Sequence, residues 1–314
     1  MPRWRRLVAA LGLTVMLGST AASAESLIFS QGDRVVLLGA TLVEREGNYG
    51  WIETRLTARF PNLDLTFRNL GWSGDTVYGA ARAGFDTEKE GYERLIKHVT
   101  DAKPNVILVN YGQVESFDGA GGLEHFLAGL NRLLDDLAPL GARIALLSPT
   151  LQENLGAPLP DPAAHNADVR SYAAAIGAVA SARGHHFVDF TALLPVEDNV
   201  TTAPRTDNGL HFTEDGYWEV AAALLAGLGH DAPALSRKAL APLRALVVEK
   251  NRLFFNTWRA QNDTYIFGFR KHEQGDYAEE VPLFLPLVAE QEKAIAALSR
   301  QLAGVDQPKG IATP

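Results

Sequence analysis

Five short apolar runs punctuate the chain. Between them, apolar residues recur every three to four positions. The runs are Arg34–Gly39 (RVVLLG), Asp64–Leu70 (DLTFRNL), Asn105–Tyr111 (NVILVNY), Arg143–Ser148 (RIALLS) and His186–Phe190 (HFVDF). Runs so continuous in Val, Ile and Leu predict strands buried on both faces. Helical spacing falls at Tyr49–Arg59, Tyr92–Ala102, Leu123–Leu140, Ala167–Arg183 and Glu214–Leu228. Strands alternating with helices predict right-handed βαβ units, hence a parallel sheet covered on both faces. The expected fold is α/β: a three-layer α/β/α, flavodoxin-like domain with a five-stranded parallel sheet. From about Ala232 the alternation stops. Ala239–Phe255 and Val281–Leu302 read as helices around an aromatic and polar stretch, Asn256–Asp276. Residues 25–231 are therefore expected to form the main domain. Residues 232–314 should form a C-terminal helical extension packed on it.

Composition adds the compartment. Arg3, Arg5 and Arg6 precede an apolar stretch from Leu7 to Leu17, and Ala22-Ser23-Ala24 is a small-residue cleavage pattern. Residues 1–24 thus read as a signal peptide, too short in its apolar part to span a bilayer comfortably. Export to a periplasm or beyond is expected, with no stable membrane insertion after cleavage. The chain of 314 residues has no cysteine, so a large apolar core must hold it without disulfides. Cysteine nucleophiles and thiolate metal sites are excluded. A net charge of -8 argues against nucleic acid and anionic membranes as partners.

Ligands of open parallel sheets bind beyond the carboxyl ends of the strands. That rule selects the loops at Gly39-Ala40-Thr41-Leu42, Leu70 to Thr76, and Tyr111 to Ser116, and a fourth carrying His211. His211 stands between an Asn-Gly turn and a helix start, where Thr213 is placed to cap and Glu214 and Asp215 suit the positive helix end. A histidine positioned in this way suits a general base.

These loops resemble the blocks of the SGNH/GDSL hydrolase superfamily over roughly residues 33–230. The stretch Asn69-Leu70-Gly71-Trp72-Ser73-Gly74-Asp75-Thr76 is similar to the second block, and His211 with the following Thr-x-x-Gly-Tyr is similar to the last. The resemblance implies that Gly74 supplies an oxyanion-hole amide and His211 the base. Other positions depart from the pattern. Thr41 stands at the nucleophile, with Ala40 before it. Val114 stands at the oxyanion Asn, and Asn208 at the Asp that orients the histidine. Asp207, Gln113 and Asn110 lie close enough in sequence to compensate. A subgroup familiar from planctomycetes and verrucomicrobia looks closer still. It combines a Thr nucleophile position, Asn-Gly-x-His, a Glu-Ser-Phe third block (here Glu115-Ser116-Phe117) and an aromatic tail.

Glu115 is a surplus carboxylate that suits either orienting His211 or receiving backbone N–H groups. Arg68 and Arg82 read as partly buried salt bridges before anion sites, and the tail aromatics as packing. What the resemblance implies is an exported ester hydrolase acting on a small-molecule or carbohydrate ester, with Thr41, Gly74, His211, Asn208 and Glu115 as site residues. The alternative is an inactive binding protein for carbohydrate or cell-envelope ligands that keeps the cleft. Neither implies a metal or an organic cofactor.

Overall fold

The computed structural model describes residues 26–273 and 277–305; the expected signal segment lies outside the described residues. Five parallel strands form the sheet: β1 (Arg34–Gly39), β2 (Thr66–Asn69), β3 (Val106–Asn110), β4 (Arg143–Leu147) and β5 (His186–Val188). Their order is β2-β1-β3-β4-β5. The chain moves outward from β1 in one direction to β2, then returns to lay β3 on the other side. The loops leaving β1 and β3 therefore part at the sheet's carboxyl edge and open a crevice there.

Side chains alternate along each strand and sort the core into two layers. Val35, Leu37, Val106, Leu108, Ala145 and Leu147 face one cluster. Val36, Leu38, Ile107, Val109, Ile144 and Leu146 face the other. The first layer is covered by α2 (Trp51–Arg59) and α7 (Glu214–Gly227), through Ile52, Leu56, Val220 and Leu224. The second is covered by α3 (Glu88–Ala102), α4 (Gly119–Leu137) and α5 (Ala163–Arg183), through Leu95, Leu133 and Ile176.

One helix was not legible in the sequence. The chain after β1 does not stay a loop but forms α1 (Thr41–Tyr49), which ends at Gly50 before α2 begins. Its sequence, TLVEREGNY, buries only Val43 and Glu46, so it carries no apolar stripe to read. Tertiary contacts hold it instead, among them the Asn69 amide donating to the Val43 carbonyl at 2.6 Å.

After a single-turn α6 (Phe190–Leu193) and α7, the chain forms α8 (Arg237–Trp258), α9 (Asp263–Ile266) and α10 (Phe284–Leu302). Helix α8 runs past the edge strand β2 and joins both layers. Leu240, Leu243 and Val247 enter the first, and Leu253 and Phe254 the second. Between them, Lys250 is fully buried, 2.6 Å from Glu53 and 3.1 Å from the Phe67 carbonyl of β2. It thus occupies hydrogen-bonding capacity that an edge strand would otherwise expose. Arg68 of β2 pairs with Glu292 of α10. Among the described residues, no helix is long and apolar enough to cross a membrane.

Candidate active site

Thr41 is the first residue of α1, immediately beyond β1. Its backbone N–H belongs to the first helical turn, whose donors have no acceptor within the helix. Its hydroxyl accepts a hydrogen bond from the Gly74 N–H at 3.2 Å. Gly74 has a φ of 73°, in the region that favours glycine. Three residues earlier, a Cβ on Gly71 would lie 2.1 Å from the Glu44 nitrogen, so this loop presses directly on the backbone of α1. The Ser73 N–H donates to the Glu44 carboxylate at 2.6 Å.

Glu115 lies in the loop beyond β3, and its two oxygens receive the Val77 and Gly112 N–H groups, each at 2.9 Å. Burial pushes its carboxyl above the usual range. Of the two readings open for Glu115, the structure supports the backbone brace. It ties the second loop to the third and makes no bond to His211. Gln113, two residues before it, accepts the Thr150 N–H (2.9 Å) and hydroxyl (3.3 Å) on Oε1. That fixes the amide the other way round, leaving Nε2 buried and without a partner. Asn110 spends its own amide on the Ser148 carbonyl at 2.8 Å. Ser116 Oγ lies 2.9 Å from His165 Nε2, whose Nδ1 is 3.1 Å from Gln152 Oε1. This Ser–His–Gln chain has no exposure at its serine and braces the third loop through the Gln113 carbonyl, 2.8 Å away.

The last loop is anchored by buried Glu153, which accepts from Arg205 and from the Thr206 N–H and hydroxyl. Thr213 caps α7 through the Gly216 N–H, as the sequence predicts. Asn208 decides the state of the histidine. Its Oδ1 accepts the N–H groups of Leu210 (3.0 Å) and His211 (2.8 Å). Its Nδ2 is therefore the atom 3.2 Å from His211 Nδ1. An amide nitrogen only donates, so Nδ1 must accept and the ring proton sits on Nε2. Burial lowers the His211 pKa and nearby Arg45 lowers it further, against a smaller opposing pull from Asp207. Asp207 itself pairs with Arg45 at 3.0 Å rather than with the ring.

Thr41, Gln113, Val114, Thr150, Leu210 and His211 share a cleft of about 210 Å³ with Arg45 and Phe117 at its walls. Among the described residues, no hydrogen bond joins the Thr41 hydroxyl to the His211 ring. Arg45 is one helical turn from Thr41, a proximity that the sequence hides because α1 carries no apolar stripe. Thr150 has no sequence signal. Arg82 and Arg68 sit in ion pairs with Asp75 and Glu292, and Arg270 pairs with Glu273, neither of which lines the cleft.

The sequence matches the model of the GDSL-like lipase/acylhydrolase family over residues 29–219. Among curated proteins no sequence matches this chain. Among solved structures, a catalytic mutant of Axe2, an acetylxylan esterase from Geobacillus stearothermophilus, is similar at 19% identity and a TM-score of 0.51, covering 67% of this chain and 100% of that one. The same enzyme without that change gives 18% identity, a TM-score of 0.50 and coverage of 65% and 98%. A GDSL-like lipase from Bacteroides thetaiotaomicron gives 20%, 0.46, and coverage of 63% and 88%. The two likenesses to the acetylxylan esterase concern the fold alone, and the family match spans more than half of the chain. That match shows that the chain belongs to the GDSL-like lipase/acylhydrolase family.

Proposed function

We propose that the protein is a slow, exported ester hydrolase acting on small acyl esters, with acylated carbohydrate as the favoured substrate class. The observation that carries this reading is the Gly74 N–H bonded at 3.2 Å to the hydroxyl of Thr41, which lines a cleft together with His211. In the reaction, Thr41 Oγ attacks the acyl carbonyl carbon and its proton passes to His211 Nε2. The carbonyl oxygen becomes an oxyanion held by the Gly74 and Thr41 N–H groups and by Gln113 Nε2. The alcohol leaves with the proton from Nε2, and water then releases the acyl group from Thr41 by the same steps.

Asn208 sets the speed. To act as a base, His211 must carry its proton on Nδ1, where it would face the Asn208 amide hydrogens. An Asn in this position typically lowers turnover by about 10⁴. The leader at residues 1–24 supports export. The size of the cleft, about 210 Å³, favours a short acyl chain.

The Asn208–His211 bond also favours a second reading. A neutral Nε2–H is a good donor to a ligand, as a binding protein would use it. A panel of acetyl and longer-chain esters with purified protein separates the two. Hydrolysis that disappears in both Thr41→Ala and His211→Ala supports the enzyme. Absence of turnover on every ester, with acetylated oligosaccharide binding that survives Thr41→Ala, supports the binding protein.

A further inference from the structure

Gly74 has no side chain, and a Cβ built on it would meet nothing within 4 Å. Its amide cannot be aimed by its own packing, so the aim must come from its neighbours. Those neighbours are gripped by the C-terminal extension, beyond the residues that match the family model. Arg259, just past α8, lies 2.5 Å from Glu44 Oε2, the oxygen that receives the Ser73 N–H. Its guanidinium sits 3.7 Å from the centre of the Trp72 ring. Trp72 is held by its N–H to the Gly39 carbonyl (3.0 Å) and by the edge of Trp258, 5.9 Å away. On the other side of Gly74, Asp75 forms a fully buried ion pair with Arg82 at 2.7 Å. Glu44 is also on α1, less than one turn from Thr41, so one carboxylate ties the helix of the hydroxyl to the loop of the amide.

We propose that Arg259 is a positioning residue for the reaction. Through Glu44 and Trp72 it holds the Gly74 N–H aimed at the Thr41 oxygen, which makes the extension a working part of the cleft. This rests on the hydrolase reading above. A lysine would keep the charge facing Glu44 but lose the planar stack on Trp72, so it restores the grip only in part.

The test uses full-length protein with Arg259→Ala and Arg259→Lys, each alone and combined with Asn208→Asp. Turnover of p-nitrophenyl acetate and amide hydrogen exchange at residues 73–75 and in β3 are the readouts. Arg259→Ala should lower kcat about 10- to 100-fold with KM little changed, the mark of lost alignment rather than lost binding. Exchange should accelerate at Ser73 and Gly74 but not in β3, and Arg259→Lys should fall between. Unchanged exchange at Ser73 and Gly74 in Arg259→Ala overturns the proposal. So does acceleration that extends equally into β3, because that marks general loosening. So does an unchanged kcat where the parent turns over. If no protein hydrolyses any ester, with or without Asn208→Asp, the hydrolase reading fails, and exchange alone then decides whether Arg259 holds the loop.

Discussion

The loop carrying His211 lines the cleft, the loop carrying Gly74 reaches it through the bond to Thr41, and both are firmly tied to the fold. Around Gly74, the bonds of Glu44, Arg259 and Asp75 leave a backbone donor aimed at the Thr41 hydroxyl. Around His211, the bonds of Asn208 leave the ring proton on the nitrogen where a base needs a lone pair. Placement and protonation are therefore separate requirements. The first half of the cleft meets both. In the second the ring lines the cleft without a bond to the Thr41 hydroxyl, and one amide in place of a carboxylate puts its proton on the nitrogen facing away from Asn208.

Changing that amide should have the largest effect. In Asn208→Asp the carboxylate keeps the two backbone N–H bonds and accepts from Nδ1, so the Nε2 lone pair becomes available. Ester turnover should rise by about 10²–10⁴ in kcat. If kcat is unchanged, the two halves do not differ in the way described. Next is Gln113→Glu, which keeps the acceptor for Thr150 but removes the unpartnered donor and adds negative charge. A steady-state assay should find kcat lower by about 10²–10³, the usual effect of losing one oxyanion donor.

The Gly74 half should also loosen in acid. His98 sits against Trp258, 5.2 Å between rings, and 3.4 Å from Arg82, behind the Gly74 loop. Burial and Arg82 push its pKa down to about 4 from 6.5. The folded state holds His98 neutral while the unfolded chain takes up a proton. Stability is thus present above about pH 6.5 and is lost as pH falls toward 4. The loss is about 3 kcal/mol at the acid end. Urea midpoints across this range should show a shallower slope in His98→Gln than in the parent. The smallest effect is a displacement of the pH profile. Because the active form of His211 is neutral and its pKa is lowered, kcat/KM should rise with pH along a limb below the ordinary histidine range. Asn208→Asp should move that limb to higher pH, since a carboxylate favours the charged ring.

Much of this architecture was legible. The five strands fall where the apolar runs lie, and period-two alternation explains the two core layers. The helix after His211 starts where Thr213 and the acidic first turn place it. Helix α1 was hidden because its burial is slight and its support comes from Asn69 and from the loop at Gly71. Glu115 stood out as a carboxylate near the site, but only the fold reveals that two backbone N–H groups use both its oxygens. The bond of Arg259 to Glu44 spans 215 positions, and no local pattern encodes it. Asn208 could be read as a departure from the family pattern. The direction of its amide could not, because two backbone donors set it in the folded loop.

The contrast between the two loops rests on one proton of His211, and nitrogen NMR of the imidazole rings reads it directly. In the parent protein at neutral pH, His211 should carry its proton on Nε2, with Nδ1 bare and hydrogen-bonded to Asn208, and Asn208→Asp should move the proton to Nδ1. A His211 already protonated on Nδ1 in the parent would mean that Asn208 does not set the tautomer.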